Sequence, residues 1–267
     1  MIEIINNNNS IGFFDSGVGG LSVLSRFKKE LPNENTIYFG DTIHLPYGNK
    51  TKDELIGYAK NILDFFNKKG VKAVVIACNT SSAQAYDTVK DIYPFPIYPI
   101  IQCCAKGVAS MGVNRVGVFA TEATVNSEKY AKELTKYNSD IKVKEIAAKN
   151  WVGIVEGVEK NREENIKNIK YEIEEMLEFN PDKIILGCTH YPYLMSEFAK
   201  YAPRELFIDP AQIFVDYIKE DLTKKGLLNT SQKIGEEEFF VSSNPEGFVK
   251  NAELFYKIKT SPILYYN

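Results

Sequence analysis

The sequence predicts an α/β protein built of two related halves, in which buried strands alternate with amphipathic helices. Three observations predict it. Runs such as Ala73-Val-Val-Ile-Ala77 and Lys183-Ile-Ile-Leu186 are continuously apolar, as strands are when both faces of a parallel sheet are covered. Segments of helical period separate these runs. Each half also carries one strand that closes on a small residue and a cysteine, Ala77-Cys78 in the first and Gly187-Cys188 in the second. Asp15 precedes Cys78 by 63 residues and the analogous Ala120 precedes Cys188 by 68, a similarity that suggests an internal duplication.

Taken in order, Ile11-Gly-Phe-Phe14 reads as a buried strand that enters the turn Asp15-Ser-Gly-Val-Gly-Gly-Leu21. Leu21, Leu24, Phe27 and Leu31 then recur at helical spacing. Gly17, Gly19 and Gly20 suit a turn that needs positive φ and close backbone approach. The helix start behind them offers amides to an anion, although such a turn can also merely connect. Thr36 to Asp41 is a second strand, and Leu45-Pro-Tyr-Gly48 has the composition of a rigid loop. Thr51 with Glu54 forms a capping box for a helix whose buried face is Leu55, Ala59, Ile62 and Phe66 and whose end is Gly70. After the strand 73–77, Asn79, Thr80, Ser81 and Ser82 are the candidate caps of a helix through Tyr86 and Val89. A short strand spans Ile97 to Ile101, and a crossover between halves falls near Gln102 to Gly107.

The pattern then restarts. Arg115-Val-Gly-Val-Phe-Ala120 closes on Thr121 and Thr124 much as the first strand closes on Asp15 and Ser16, so these two threonines join the candidate binding residues. A charged helix from about Asn165 to Phe179 precedes the strand carrying Cys188. Phe207-Ile-Asp-Pro210 ends a further strand, a helix follows from Ala211 to Lys225, and the tail adds a strand at 239–241 and a helix at 248–255. The polar tract Asn6 to Asn9 reads as local looseness.

Composition narrows the function classes. At 267 residues with 44% hydrophobic and 25% charged side chains, the chain has room for one large domain or two smaller ones. A net charge of −3 gives no electrostatic reason to expect nucleic acid or an anionic membrane. No stretch approaches the ~18 apolar residues of a membrane span, and Met1 to Asn6 places an acid and no basic residue at the start, so a cytoplasmic location is expected. Cys78, Cys103, Cys104 and Cys188 are too few and scattered for a disulfide framework and read as free thiols. The adjacent Cys103 and Cys104 lack metal-ligand spacing, and His44 and His190 are the only histidines, so no metal is expected.

Strand ends of parallel sheets deliver side chains to a crevice, and two facing ends would put Cys78 and Cys188 in one pocket. A thiol becomes a useful base where helix N-termini, hydrogen bonds or a neighbouring base favour its thiolate. Asn79 and Thr80 beside Cys78, and Thr189 and His190 beside Cys188, supply such a setting. Asp15 is placed to take a proton from Cys78 and His190 to do the same near Cys188. A dinucleotide-binding unit is the competing class, since Gly17-x-Gly19 follows a strand and Asp41 ends the next one. That motif fails at Ser22, where its last glycine belongs. A non-catalytic amino-acid-binding protein is the third class.

Four motifs in order, Asp15-Ser-Gly-Val-Gly-Gly-Leu21, Gly40-Asp-Thr through Pro46-Tyr-Gly48, Ala77-Cys-Asn-Thr80 and Leu186-Gly-Cys-Thr-His-Tyr-Pro192, give the chain a close resemblance. It resembles the glutamate racemases of the cofactor-independent aspartate/glutamate racemase superfamily. The resemblance implies two similar doubly wound parallel-sheet domains with the active site in the cleft between them. The first would comprise residues 1–103 plus 212–267 and the second the inserted residues 104–211. It implies interconversion of L- and D-glutamate for peptidoglycan without a cofactor, the alternatives being another acidic amino acid such as aspartate or a non-catalytic relative. Cys78 and Cys188 would be the acid/base pair, assisted by Asp15 and His190. Ser16, Pro46, Tyr47, Gly48, Asn79, Thr80 and Thr189 would bind or orient substrate. A small-molecule substrate and a second copy of the chain, as a homodimer, are the expected partners. The chain departs from the family pattern at His44, Gln102 to Cys104 and Ala148-Lys149.

Overall fold

The structure is a computed structural model describing residues 6–157 and 161–265. β1 (Ile11–Asp15) turns into α1 (Leu21–Glu30), followed by β2 (Thr36–Gly40), α2 (Lys52–Lys68) and β3 (Ala73–Ile76). The short helices α3 (Asn79–Gln84) and α4 (Tyr86–Val89) lead to β4 (Ile97–Pro99) and α5 (Ile100–Ala109). The second run begins with β5 (Arg115–Ala120), α6 (Glu122–Asn126), α7 (Lys129–Tyr137) and β6 (Lys142–Ala147). It continues through α8 (Trp151–Glu156), α9 (Arg162–Glu178), β7 (Lys183–Gly187), α10 (Met195–Phe198) and β8 (Phe207–Ile208). The tail contributes α11 (Pro210–Lys224), β9 (Glu237–Val241), α12 (Pro245–Ala252) and β10 (Ile263–Leu264).

Among the described residues, six strands form one sheet in the order β10-β9-β2-β1-β3-β4 and four form another in the order β6-β5-β7-β8. Every pairing is parallel. In the first sheet the chain steps from β1 out to β2 and returns past β1 to β3. The second sheet repeats that step from β5 to β6 and back to β7. The winding direction therefore reverses between β1 and β3 and again between β5 and β7, where doubly wound sheets open a crevice at their carboxyl ends. Asp15 and Cys78 lie at one such end, and Thr121 and Cys188 at the other.

Strand alternation distributes the core. Phe13 of β1 packs edge-on against Phe27 of α1 with ring centroids 5.0 Å apart, while its neighbour Phe14 enters a separate cluster with Phe66 and Ile76. The Phe13 cluster runs continuously into the second sheet through Val116, Val118 and Ile185, and it takes in Ile101 and Val108 of α5 and Phe214 and Ile218 of α11. The domain division proposed at 103/104 and 211/212 would cut α5 and α11, two helices packed on each other in this shared core.

Several local readings are corrected. β4 stops at Pro99, and Ile100 and Ile101 open α5 instead of extending the strand; Ser82 Oγ accepts the Ile101 N–H at 3.2 Å. The cap of α3 is Cys78 itself, so Asn79, Thr80, Ser81 and Ser82 lie inside the helix. None of Gly17, Gly19 and Gly20 has a positive φ; close approach is what excludes a side chain at Gly19 and Gly20. The polar tract is tied down, with Asn7 Nδ2 on the Gly226 carbonyl at 2.8 Å and Asn9 Nδ2 on the Gly70 carbonyl at 2.9 Å. The tail helix starts three residues early, at Pro245, because Asn244 caps it through the Gly247 N–H at 3.1 Å. The Thr51–Glu54 capping box forms as the pattern predicts.

Two glycines separate packing from backbone entropy. A Cβ at Gly12 would stand 2.7 Å from the Phe66 ring, whereas one at Gly57 in the middle of α2 meets nothing within 4 Å. Gly12→Ala is expected to lower unfolding free energy by about 1–3 kcal/mol through overpacking, and Gly57→Ala to raise it by about 0.5–1 kcal/mol. Chemical denaturation of both variants checks the opposite signs.

Candidate active site

β3 ends two residues before Cys78, and β7 ends one residue before Cys188. Both thiols are free and buried, and both line one cavity of about 600 Å³. Cys78 has extended backbone at the head of α3, where its Sγ accepts the Ser81 N–H at 3.5 Å. Asp15 and Ser16 reach the cavity from the end of β1, and Asn79 and Thr80 from the first turn of α3. Thr121, Thr189 and His190 reach it from the second sheet.

Pro46, Tyr47 and Gly48 enter on the loop after β2. That loop is held by Asp41, whose carboxylate accepts hydrogen bonds from Ser242 Oγ at 2.8 Å and from the Tyr47 hydroxyl. His44 Nδ1 lies 2.8 Å from the same carboxylate, and its ring stacks on Tyr58. Thr124 does not line the cavity. It stands behind Thr80 and Thr121, with its hydroxyl 3.4 and 3.0 Å from theirs, so it fixes their rotamers.

The turn between β1 and α1 brings the halves together. A Cβ at Gly19 would fall 2.3 Å from Thr189 Oγ1 and 2.5 Å from the His190 ring, and one at Gly20 would fall 2.5 Å from Asp15 Cβ. The amides of Leu21, Ser22 and Val23 are taken by turn carbonyls, so this helix start is a docking surface and not an anion seat.

The two thiols have unlike surroundings. Burial, reinforced by the charge of Asp15, pushes the Cys78 thiol up to about 12, against the lowering effect of the Ser81 hydrogen bonds. Asp15 is itself raised by burial, which the charge of His190 and the backbone at Gly17 and Gly20 oppose. Its Oδ1 accepts the Gly17 N–H at 3.0 Å. Around Cys188 the neighbour is cationic. Burial works against charge on His190, but hydrogen bonds and charge from Cys188 and Glu156 outweigh it and push the imidazole up to about 10. Nδ1 lies 3.8 Å from Cys188 Sγ and Nε2 lies 3.0 Å from Glu156 Oε1.

Of the buried side-chain polar atoms without partners among the described residues, Asp15 Oδ2 and Asn79 Nδ2 belong to residues that line the cavity. An acceptor and a donor are thus left for a ligand. Asn79 Oδ1 accepts from Tyr130 Oη at 2.7 Å, which fixes the amide's orientation. Among the described residues, no cluster of three or more His, Cys, Asp and Glu side chains is arranged to hold a metal ion, and no helix is long and apolar enough to cross a membrane.

The family model for Asp/Glu/hydantoin racemases matches residues 19–218. The chain belongs to this racemase family. A glutamate racemase of Thermoanaerobacter sp. (strain X514) is 37% identical over 257 residues, covering 96% of each chain. A crystal structure of glutamate racemase from Francisella tularensis in complex with D-glutamate superimposes with a TM-score of 0.89 at 33% identity, covering 97% of this chain and 98% of that one. The likeness to the aspartate racemase of Picrophilus torridus, with a TM-score of 0.58 at 18% identity, concerns the fold alone. As an amino-acid racemase this chain is an isomerase.

Sequence reading did not find Glu156, Tyr130 or Lys149 near the racemase cavity. The signal for Glu156 was an acid closing the apolar segment Trp151-Val-Gly-Ile-Val155, which went unread as a helix.

Because Glu156 is one of the groups holding His190 charged, Glu156→Gln is expected to lower the imidazole pKa by about one unit or more. With two histidines in the chain, an NMR titration resolves it. The folded value lies above the ordinary 6.5, so the stabilisation from charged His190 is complete below about pH 6.5 and fades as pH rises towards about 10. The stability gap between the parent and Glu156→Gln should therefore narrow over that window. A gap that widens as pH rises would contradict the assigned charge state.

Proposed function

We propose that the chain interconverts L- and D-glutamate by proton exchange at the α-carbon between two cysteines, without a cofactor, and supplies D-glutamate for peptidoglycan. The observation that carries this reading is that Cys78 and Cys188, from equivalent strand ends of two separate sheets, line one cavity. An amino-acid α-proton is a very weak acid, so catalysis needs a base at the proton and donors where charge grows on the α-carboxylate. Asn79 Nδ2 and the hydroxyls of Ser16, Thr80, Thr121 and Thr189 are suited to that second task. In one direction the thiolate of one cysteine takes the α-proton and becomes a thiol. The opposite cysteine then gives its own proton to the other face of the planar carbanion and is left as thiolate, which reverses the pair for the return reaction.

His190, held by Glu156, is the charged neighbour of Cys188, while Asp15 is the group suited to accept the Cys78 proton. In the ligand-free protein the pair rests with Cys78 as a thiol. Glutamate is preferred to aspartate in this reading because the relatives that match along the full chain are glutamate racemases.

Cys78→Ala and Cys188→Ala are each expected to reduce L-glutamate racemisation by several orders of magnitude. Cys103→Ala and Cys104→Ala should leave it intact. Circular dichroism of glutamate and of aspartate as substrates measures this directly. Comparable kcat/KM for aspartate, or appreciable turnover by Cys188→Ala, would overturn the reading.

A further inference from the structure

The carboxylate that meets His190 comes from a short helix with two unlike faces. Val152, Gly153 and Glu156 of α8 line the cavity, whereas Trp151 and Ile154 lie in the core. At 3.6 residues per turn these sets fall on opposite sides of the helix, so α8 presents Glu156 to the site only while Trp151 is turned away from it. The Trp151 ring sits 4.8 Å from Phe119, 4.9 Å from Tyr191 and 4.7 Å from Phe198 between centroids. Apolar packing of this kind is non-directional and fixes depth better than orientation.

Orientation is supplied by one carboxylate on α9. Glu172 Oε1 accepts the Lys149 N–H at 3.2 Å, and its Oε2 accepts the indole N–H of Trp151. The two bonds grip the chain on both sides of Asn150, whose left-handed backbone, φ 63°, turns it into α8. Asn150 Nδ2, 3.1 Å from Asn165 Oδ1, ties the same turn to α9 a second time. α9 is itself seated by Ile169, Ile173 and Met176 in the core. Burial raises the Glu172 carboxyl, and the bonds from Lys149 and Trp151 oppose that rise, so they also keep the group ionised. At the far end of α8, six residues long, Glu156 Oε1 stands 3.0 Å from His190 Nε2. A turn of the helix at Trp151 would swing Glu156 with it.

We propose that Glu172 is a positioning residue of this racemase: by gripping the Lys149 N–H and the Trp151 indole it sets the direction of α8 and so holds Glu156 within hydrogen-bond reach of His190. Glu172 does not line the cavity, and its effect on the chemistry passes through the helix. The proposal rests on the two-cysteine reading for its bearing on proton transfer at Cys188. The relay from Glu172 to His190 is geometric and holds whatever the substrate.

NMR of the full-length, substrate-free protein tests the relay, because one tryptophan gives one indole N–H signal and two histidines give a resolvable titration. Glu172→Gln is expected to move the indole signal upfield, since an amide is a weaker acceptor than a carboxylate. It should also lower the His190 titration point by about half a unit, in the same direction as Glu156→Gln and by less. Glu156→Gln should lower that point while the indole signal stays in place, which orders the two residues. The double variant should titrate no lower than Glu156→Gln alone, because both changes act on one bond. Trp151→Phe keeps an aromatic ring in the core and every charge in place but removes the donor, and it should lower the His190 point as well. With L- and D-glutamate, kcat of Glu172→Gln should fall about threefold with KM within about twofold. A folded Glu172→Gln in which the indole signal moves while His190 titrates as in the parent overturns the proposal. So does a double variant whose shift is the sum of the single shifts, which would mean that Glu172 acts by its charge and not through Glu156. Failure of the glutamate reading would show separately, as absence of glutamate turnover in a parent protein whose two signals are coupled as described.

Discussion

The close approach of one turn governs how this molecule is assembled. The backbone at Gly19 lies where any Cβ would collide with Thr189 Oγ1 and the His190 ring, and Gly20 lies equally close to Asp15 Cβ. The absence of a side chain at Gly19 lets the carboxyl end of the first sheet meet that of the second. The meeting puts two thiols from two sheets into one cavity. The shared core holds the arrangement, since helices α5 and α11 are packed between the sheets and not on the outside of either. A doubly wound sheet alone supplies one crevice at its switch point; two facing each other supply groups on both sides of a bound molecule.

The two walls of that cavity are chemically related but not equivalent. Cys78 has the N–H of Ser81 and a neighbouring carboxyl, and burial keeps its proton on. Cys188 has an imidazole whose charge is sustained through Glu156. The proposed exchange between the faces of a carbon atom calls for one protonated and one deprotonated group at any moment, and the unlike surroundings distinguish the two walls on which those groups stand. Tyr130 on Asn79 and Thr124 on Thr80 and Thr121 orient the donors between them, so that little reorganisation is left for the reaction itself.

Much of this was legible in the sequence because it depends on local pattern. β-branched runs gave the central strands, and the duplication showed in the matching of Ile11–Phe14 with Arg115–Ala120 and of the two cysteine-bearing strands. Most candidate residues lay beside the cysteines or at the ends of equivalent strands, whereas Pro46, Tyr47 and Gly48 in the loop after β2 were indicated by the family resemblance; of all of them only Thr124 does not line the cavity. What escaped detection depends on tertiary contact. β6 is only partly buried and mixes lysine, glutamate and apolar residues, so no period stood out. α8 is six residues long and starts from a left-handed asparagine, which propensity does not reveal. Glu156 meets His190 across 34 residues of chain, and a glycine's reason for being glycine at position 19 lies 170 residues away, at Thr189. The cap of α3 was misassigned for a subtler reason: sulfur accepts hydrogen bonds weakly, so Asn79 and Thr80 outrank Cys78 on propensity.

The central claim, that two fixed groups serve the two faces of one carbanion, is tested most directly by isotope incorporation. Each pure enantiomer of glutamate is incubated with enzyme in heavy water, and substrate and product are separated at early times. If each thiol serves one face, product carries solvent deuterium at the α-carbon while recovered substrate carries almost none, and this holds from either direction. Recovered substrate that gains deuterium as fast as product would mean that one exchangeable base reaches both faces, and the two-sheet account of catalysis would be wrong.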